Sequence, residues 1–312
     1  MSILSLLVII AVTFLPVFLW GYIFSYLHND NFDRERFFIG IISGGFSVGT
    51  LVLFPKILGI EESTLTKLSI EFLTNERNIL FLLLLLVSNT LISITTTWFL
   101  LWRKGRSLDV RAVISYVGMQ FWLILIAFFV LFSIAQIFHT SGITPNNIAF
   151  LSSIFLGILS YSFASSLEES VKHISFLGST RILLRQKLSE IILITLFIAL
   201  GFVWIENILY LINTLSKQSL GWVVEVWILR SLFSLVIHIF AASVCTYFWF
   251  HASFHALGSL RYSLWFLSGF FLASILHALY NYAVAQNAIL ILFWFFALAY
   301  FLLTKWLYQE RL

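Results

Sequence analysis

Charged side chains are scarce in this chain. Asp, Glu, Lys and Arg make up 10% of its 312 residues, against about a quarter in soluble domains. So few charges cannot clothe a water-facing surface, which excludes a soluble globular protein. The only cysteine, Cys245, lies in an apolar run, so an intramolecular disulfide and a cysteine-built metal site are excluded. There are three prolines, and no linker, low-complexity tract or internal repeat is visible. No phosphate-cradling glycine loop and no His-Glu-x-x-His helix occurs, which removes support for nucleotide enzymes and for that type of zinc protease. The net charge is only +4 and gathers in short loops, so nucleic-acid binding has no footing.

Apolar residues are what remains: 61% of positions, 34 of them phenylalanine, with a mean hydropathy of +1.00. Runs of about 20 apolar residues span a bilayer as helices, and no ten-residue alternation suggests a β-barrel. The expected fold is all-α, a polytopic transmembrane bundle forming a single membrane domain over 1–312. About nine spans are predicted, near 3–27, 37–59, 78–102, 110–138, 147–170, 189–213, 227–250, 263–284 and 287–307. Only Gln286 and Asn287 separate the last two, so eight spans with a re-entrant element is the alternative. The stretch from Ile3 to Leu27 lacks a basic n-region and is too long for a signal-peptide core, so it reads as a retained first helix. Gly40, Gly44, Gly45 and Gly49 set small residues along the second span, a pattern that favours close helix approach. The Gly45-x-Ser47-x-Gly49 string within it lacks the strand-to-helix turn of a nucleophile elbow and reads as packing.

Basic loops face the cytoplasm. Arg103-Lys104-Gly105-Arg106 is the densest, and Lys172, Arg181, Arg185 and Lys187 form the second. Alternation from these places the N-terminus outside, the Gln218–Glu225 loop outside and the C-terminus inside, as in a plasma (inner) membrane protein. Trp98, Trp102, Trp222, Trp227 and Trp306 near span ends are interfacial anchors.

Against this background an ionisable group inside a span costs on the order of 3 kcal/mol and marks function by default. Glu168 and Glu169 end one apolar run, each with a basic residue four positions on, Lys172 and His173; one glutamate kept dry suits a general base. Taken by itself, a helix end reaching to water serves equally well. Glu206 lies about four turns into another span with no cation within a turn, so it must be protonated, paired across the bundle or metal-bound. Arg230, Ser234 and His238 recur at four-residue spacing, as do His277 and Asn281, placing each set near one helix face. His251 and His255 share that spacing but lack a nearby carboxylate. His28, His139 and His173 read as interface or loop residues. By helix rise, Glu168 should lie nearer the cytoplasm than Glu206 and His277, by a depth on the order of 15 Å.

Glu168-Glu169-x-x-Lys172, then Gly201-Phe202-x-x-x-Glu206-Asn207-Ile208-Leu209-Tyr210, then Arg230 with His238, then His277-x-x-x-Asn281 resemble, in order, the motifs of the PrsW family of intramembrane proteases. That family belongs to the clan of CAAX prenyl endopeptidases and bacteriocin-processing Abi proteins. The resemblance covers roughly residues 165–285; Asn281 stands where PrsW-like sequences often carry an acid, as on the CAAX side of the clan. It implies a catalytic core over 147–286, with accessory helices over 1–146. It also implies hydrolysis of a peptide bond in a membrane-anchored protein or peptide, with Glu168 or Glu169 activating water. Glu206, His238, His277 and Asn281 would complete the catalytic set. In a metal-assisted version His238, His277 and Glu206 hold a divalent ion, zinc suiting mixed nitrogen and oxygen donors. In a metal-free version His277 and Asn281 donate to the oxyanion. The rival readings are a proton-coupled transporter or channel built on the same Glu and His groups, and a non-catalytic bundle tied by hydrogen bonds.

Overall fold

A computed structural model describes residues 3–29, 34–60, 76–103, 161, 164–173, 188–217, 219–255, 259–286 and 288–308. Among these residues every regular element is a helix and no strand occurs, which satisfies each segment's backbone groups internally in hydrocarbon. The elements are α1 (Ile3–Asn29), α2 (Arg34–Leu58), α3 (Glu76–Arg103), α4 (164–173), α5 (Leu188–Leu215), α6 (Leu220–Leu229), a π turn (Arg230–Ser234), α7 (Leu235–Ala252), α8 (Leu260–Ala285) and α9 (Ile289–Tyr308). Among the described residues five stretches are long and apolar enough to cross a membrane: Ile3–His28, Arg34–Leu58, Leu188–Leu215, Leu220–Ala252 and Leu260–Ala285. The span predicted over 110–138, and all but the end of that over 147–170, lie outside the described residues.

Helix α5 is the axis of the bundle. Ile191 through Val203 are all buried, and such a helix, apolar all round, can only sit inside. Helix α1 packs on it through Phe14 and Trp204, with ring centroids 5.0 Å apart, and the Trp204 indole N–H donates to the Ile10 carbonyl at 3.4 Å. Helix α2 approaches more closely still. A Cβ on Gly44 would collide with the carbonyl oxygen of Ile198, and one on Gly201 with that of Ile41. Small residues therefore let the two backbones touch, as their spacing on the second span suggests. Gly49, by contrast, has open space around it. Gly44→Ala is therefore expected to cost about 1–3 kcal/mol or more through overpacking, and Gly49→Ala almost nothing. Thermal unfolding of the two variants in one detergent measures the difference. Ser47 sits in mid-helix and donates to the Ser43 carbonyl at 3.0 Å, so the Gly-x-Ser-x-Gly string is packing.

Three expectations are corrected. The stretch expected as a Gln218–Glu225 loop is helical from Leu220, where α6 starts and runs through the π turn into α7. Beyond Gly221 in its first turn α6 has no helix breaker, and Glu225, its one charge, is exposed. Lys172 and His173 are not loop or interface residues; both are buried on α4, so Lys172 no longer counts toward orientation. His251 lies among rings, 5.3 Å from Trp265 and 4.6 Å from Tyr247.

Candidate functional site

The buried polar groups gather where α4, α5, the π turn, α7 and α8 meet. Helix α4 contributes Glu168, Glu169 and Lys172, α5 contributes Glu206 and Asn207, the turn Arg230, α7 His238 and α8 His277. Each interrupts an otherwise apolar helix, and a polar group buried there needs a polar partner.

Glu169 is 0% exposed. Its Oε1 accepts from the Lys172 ammonium and from His277 Nδ1 at 2.8 Å. Since a carboxylate only accepts, Nδ1 carries a proton toward Glu169. The other ring nitrogen, Nε2, faces Glu168 Oε2 at 3.5 Å. Lys172 also reaches His238 Nδ1 at 3.0 Å. An ammonium only donates, so the His238 proton sits on Nε2, which lies 3.0 Å from Glu206 Oε2. The two imidazoles meet edge to face, their centroids 4.6 Å apart.

Glu206 is paired across the bundle. Arg230 Nη2 lies 3.0 Å from its Oε1, while Arg230 Nε donates to the Asn207 side chain at 2.8 Å and the guanidinium covers the Tyr210 ring at 3.6 Å. Two of the three carboxylates thus have a cation, Lys172 for Glu169 and Arg230 for Glu206. Glu168 meets only the His277 ring among the described residues, and at 21% side-chain exposure it is the most open of the three acids. Asn281, one turn beyond His277, donates to Ser165 Oγ at 3.4 Å. His173 bonds the Glu169 carbonyl at 2.6 Å through Nδ1, behind the cluster.

The depth gap of some 15 Å between Glu168 and His277 is therefore absent. A hydropathy count ends a span at its first charges, whereas α4 continues buried to residue 173 because those charges are satisfied inside. Of the two four-residue pairings one gives way, Lys172 meeting Glu169, three residues back, and not Glu168, while the other holds, with His173 Nδ1 3.7 Å from Glu169 Oε2. Sequence reasoning quoted Lys172 and Arg230 within motifs but left them out of the site. The signal was the scarcity of cations in spans, which makes any basic residue there a partner for a buried acid. Glu168, His238 and His277 can each turn a ligand atom to within 4.8 Å of the others, a group that has Glu168 where the sequence reading had Glu206.

A helical membrane bundle enclosing three carboxylates, two imidazoles and two cations has the parts of an intramembrane hydrolase. The family model for PrsW family intramembrane metalloprotease matches residues 113–306, and the chain belongs to that family. Comparison with curated proteins and with solved structures returns no match.

Proposed function

We propose that the chain is an intramembrane endopeptidase that hydrolyses a peptide bond of a membrane-associated protein with water activated by Glu168. The observation that carries this is Glu168 itself, the one site carboxylate paired with no lysine or arginine among the described residues, the most exposed of the three acids and 3.5 Å from His277 Nε2. A water there donates one proton to Glu168 and the other toward His277 Nε2, leaving an oxygen lone pair for the scissile carbonyl carbon. As the C–O bond forms, Glu168 takes the proton and the carbonyl oxygen becomes an oxyanion, to which the Asn281 amide N–H donates. On collapse the C–N bond breaks and Glu168 passes the proton to the leaving amine. Glu169 holds His277 in the required tautomer, and Glu206 does the same for His238. The catalytic core on this reading is 147–286, the termini lie outside (N) and in the cytoplasm (C), and the membrane is the plasma membrane.

The donor set also fits a divalent ion, zinc among them: one carboxylate and two imidazoles within reach of one another, His277 backed by a carboxylate as metal-bound imidazoles usually are. Glu168, His238 and His277 would hold it, and it would supply Lewis-acid polarisation of water or carbonyl. One observation favours the metal-free version, namely the Lys172 ammonium on His238 Nδ1, a contact that His238 would have to give up before it could offer an ion a lone pair. Purified protein, assayed before and after chelation with its metal content measured, separates the two. Loss of cleavage restored by zinc is expected from the metal version, and full cleavage by metal-free protein removes it.

The function is tested by incubating reconstituted protein with membrane-anchored peptides in heavy-oxygen water. A defined cut whose new carboxyl end carries the label is expected. Protein that cuts nothing, yet moves protons or solutes across vesicles, would replace this reading with the transporter.

A further inference from the structure

The span from Leu220 to Ala252 is one helix interrupted once, by the π turn at Arg230–Ser234. There the Leu235 N–H donates to the Arg230 carbonyl, five residues back, so the turn holds one residue more than an α-turn. Arg230 and His238 are eight positions apart. At about 100° per residue, eight α-helical steps would leave them about 80° out of phase, whereas the extra residue absorbs one step and brings them to within about 20°. Both side chains consequently reach the same carboxylate from one helix: Arg230 Nη2 lies 3.0 Å from Glu206 Oε1 and His238 Nε2 lies 3.0 Å from Oε2. The guanidinium is fixed in turn by Asn207, at 2.8 Å, and by the face of Tyr210. A π turn costs hydrogen-bond geometry and recurs at functional sites; here it supplies the alignment that an uninterrupted helix lacks.

We propose that Arg230, carried into register by the π turn, is a positioning residue that acts through Glu206 to hold the His238 ring. Arg230 touches neither Glu168 nor His277, so it does no chemistry itself. It clamps one carboxylate oxygen so that the other stays on His238, and the opposite edge of that ring is set by Lys172. The proposal rests on the protease reading for its kinetic consequence, but the clamp can be observed independently.

The experiment combines kinetics with spectroscopy. Arg230→Met is expected to lower kcat about 10- to 100-fold, as loss of outer-shell partners does, with KM little changed. Arg230→Lys, which keeps a charge for Glu206 but cannot also hold Asn207, should recover part of the loss. Because the effect passes through Glu206, Arg230→Met in a Glu206→Gln background should cost nothing further, the non-additivity of a shared interaction. Losses that simply add would overturn the proposal, as would a rise in KM at constant kcat, which would make Arg230 a substrate-binding residue. In protein with isotope-labelled histidine, the His238 ring signals should move in Arg230→Lys and in Glu206→Gln and stay in place in Arg36→Met. Unmoved signals in Arg230→Lys would also overturn it. Wild type that cleaves nothing removes the protease reading, and the spectra alone then decide the clamp.

Discussion

Glu168→Gln is expected to lower kcat by about 10²- to 10⁴-fold, the range over which a general base contributes, with expression and thermal stability close to wild type. Glutamine has the shape of glutamate and can still bond toward His277, but it cannot accept the water's proton. Stability should be spared because Glu168 is in no ion pair with lysine or arginine among the described residues; the partner seen there is the His277 ring at 3.5 Å. This dissociation of activity from stability separates a catalytic carboxylate from a helix-tying one. Cleavage of a membrane-anchored reporter in cells, with protein level measured alongside, reads it out. Normal cleavage by Glu168→Gln at normal abundance would end the mechanism proposed here.

Lys172→Met is expected to do the opposite, removing the fold before the chemistry. Lys172 is buried, and among the described residues its ammonium is the only lysine or arginine cation on Glu169, a carboxylate with no exposure. Removing one partner of a buried pair leaves the other charge uncompensated and costs about 3–5 kcal/mol. That is a large part of the margin by which proteins are folded. Replacing both, as Lys172→Met with Glu169→Gln, should recover much of the yield and thermal midpoint, since a neutral pair carries no such penalty. The double variant should nevertheless stay inactive, because the Glu169 carboxylate also fixes the His277 proton on Nδ1. Unfolding curves in detergent for the single and double variants decide the matter. A single variant as stable as wild type would show that the pair contributes nothing to the fold.

The sequence carried far because the bilayer leaves few options. Long apolar runs must be helices, and the ends of α2, α5 and α8 fall within a few residues of where hydropathy places them. The acids and imidazoles were conspicuous for the same reason, since groups so costly in lipid stand out one by one: Glu168, Glu169, Glu206, His238 and His277 were all picked out by position. What pattern could not supply was pairing. Four-residue spacing suggested Lys172 for Glu168, yet side-chain direction on α4 gives it to Glu169. Glu206 had no cation within a turn, and its partner Arg230 is 24 positions away in sequence, on another element.

Composition and spacing by themselves settled that this is a helical membrane protein and which side chains are out of place in lipid. Tertiary structure alone decided that those side chains meet, which carboxylates Lys172 and Arg230 take as partners, and that a π turn brings Arg230 into line with His238. The reason is that hydrophobic burial is written residue by residue along a helix, whereas a buried charge is satisfied only by what another helix brings to it.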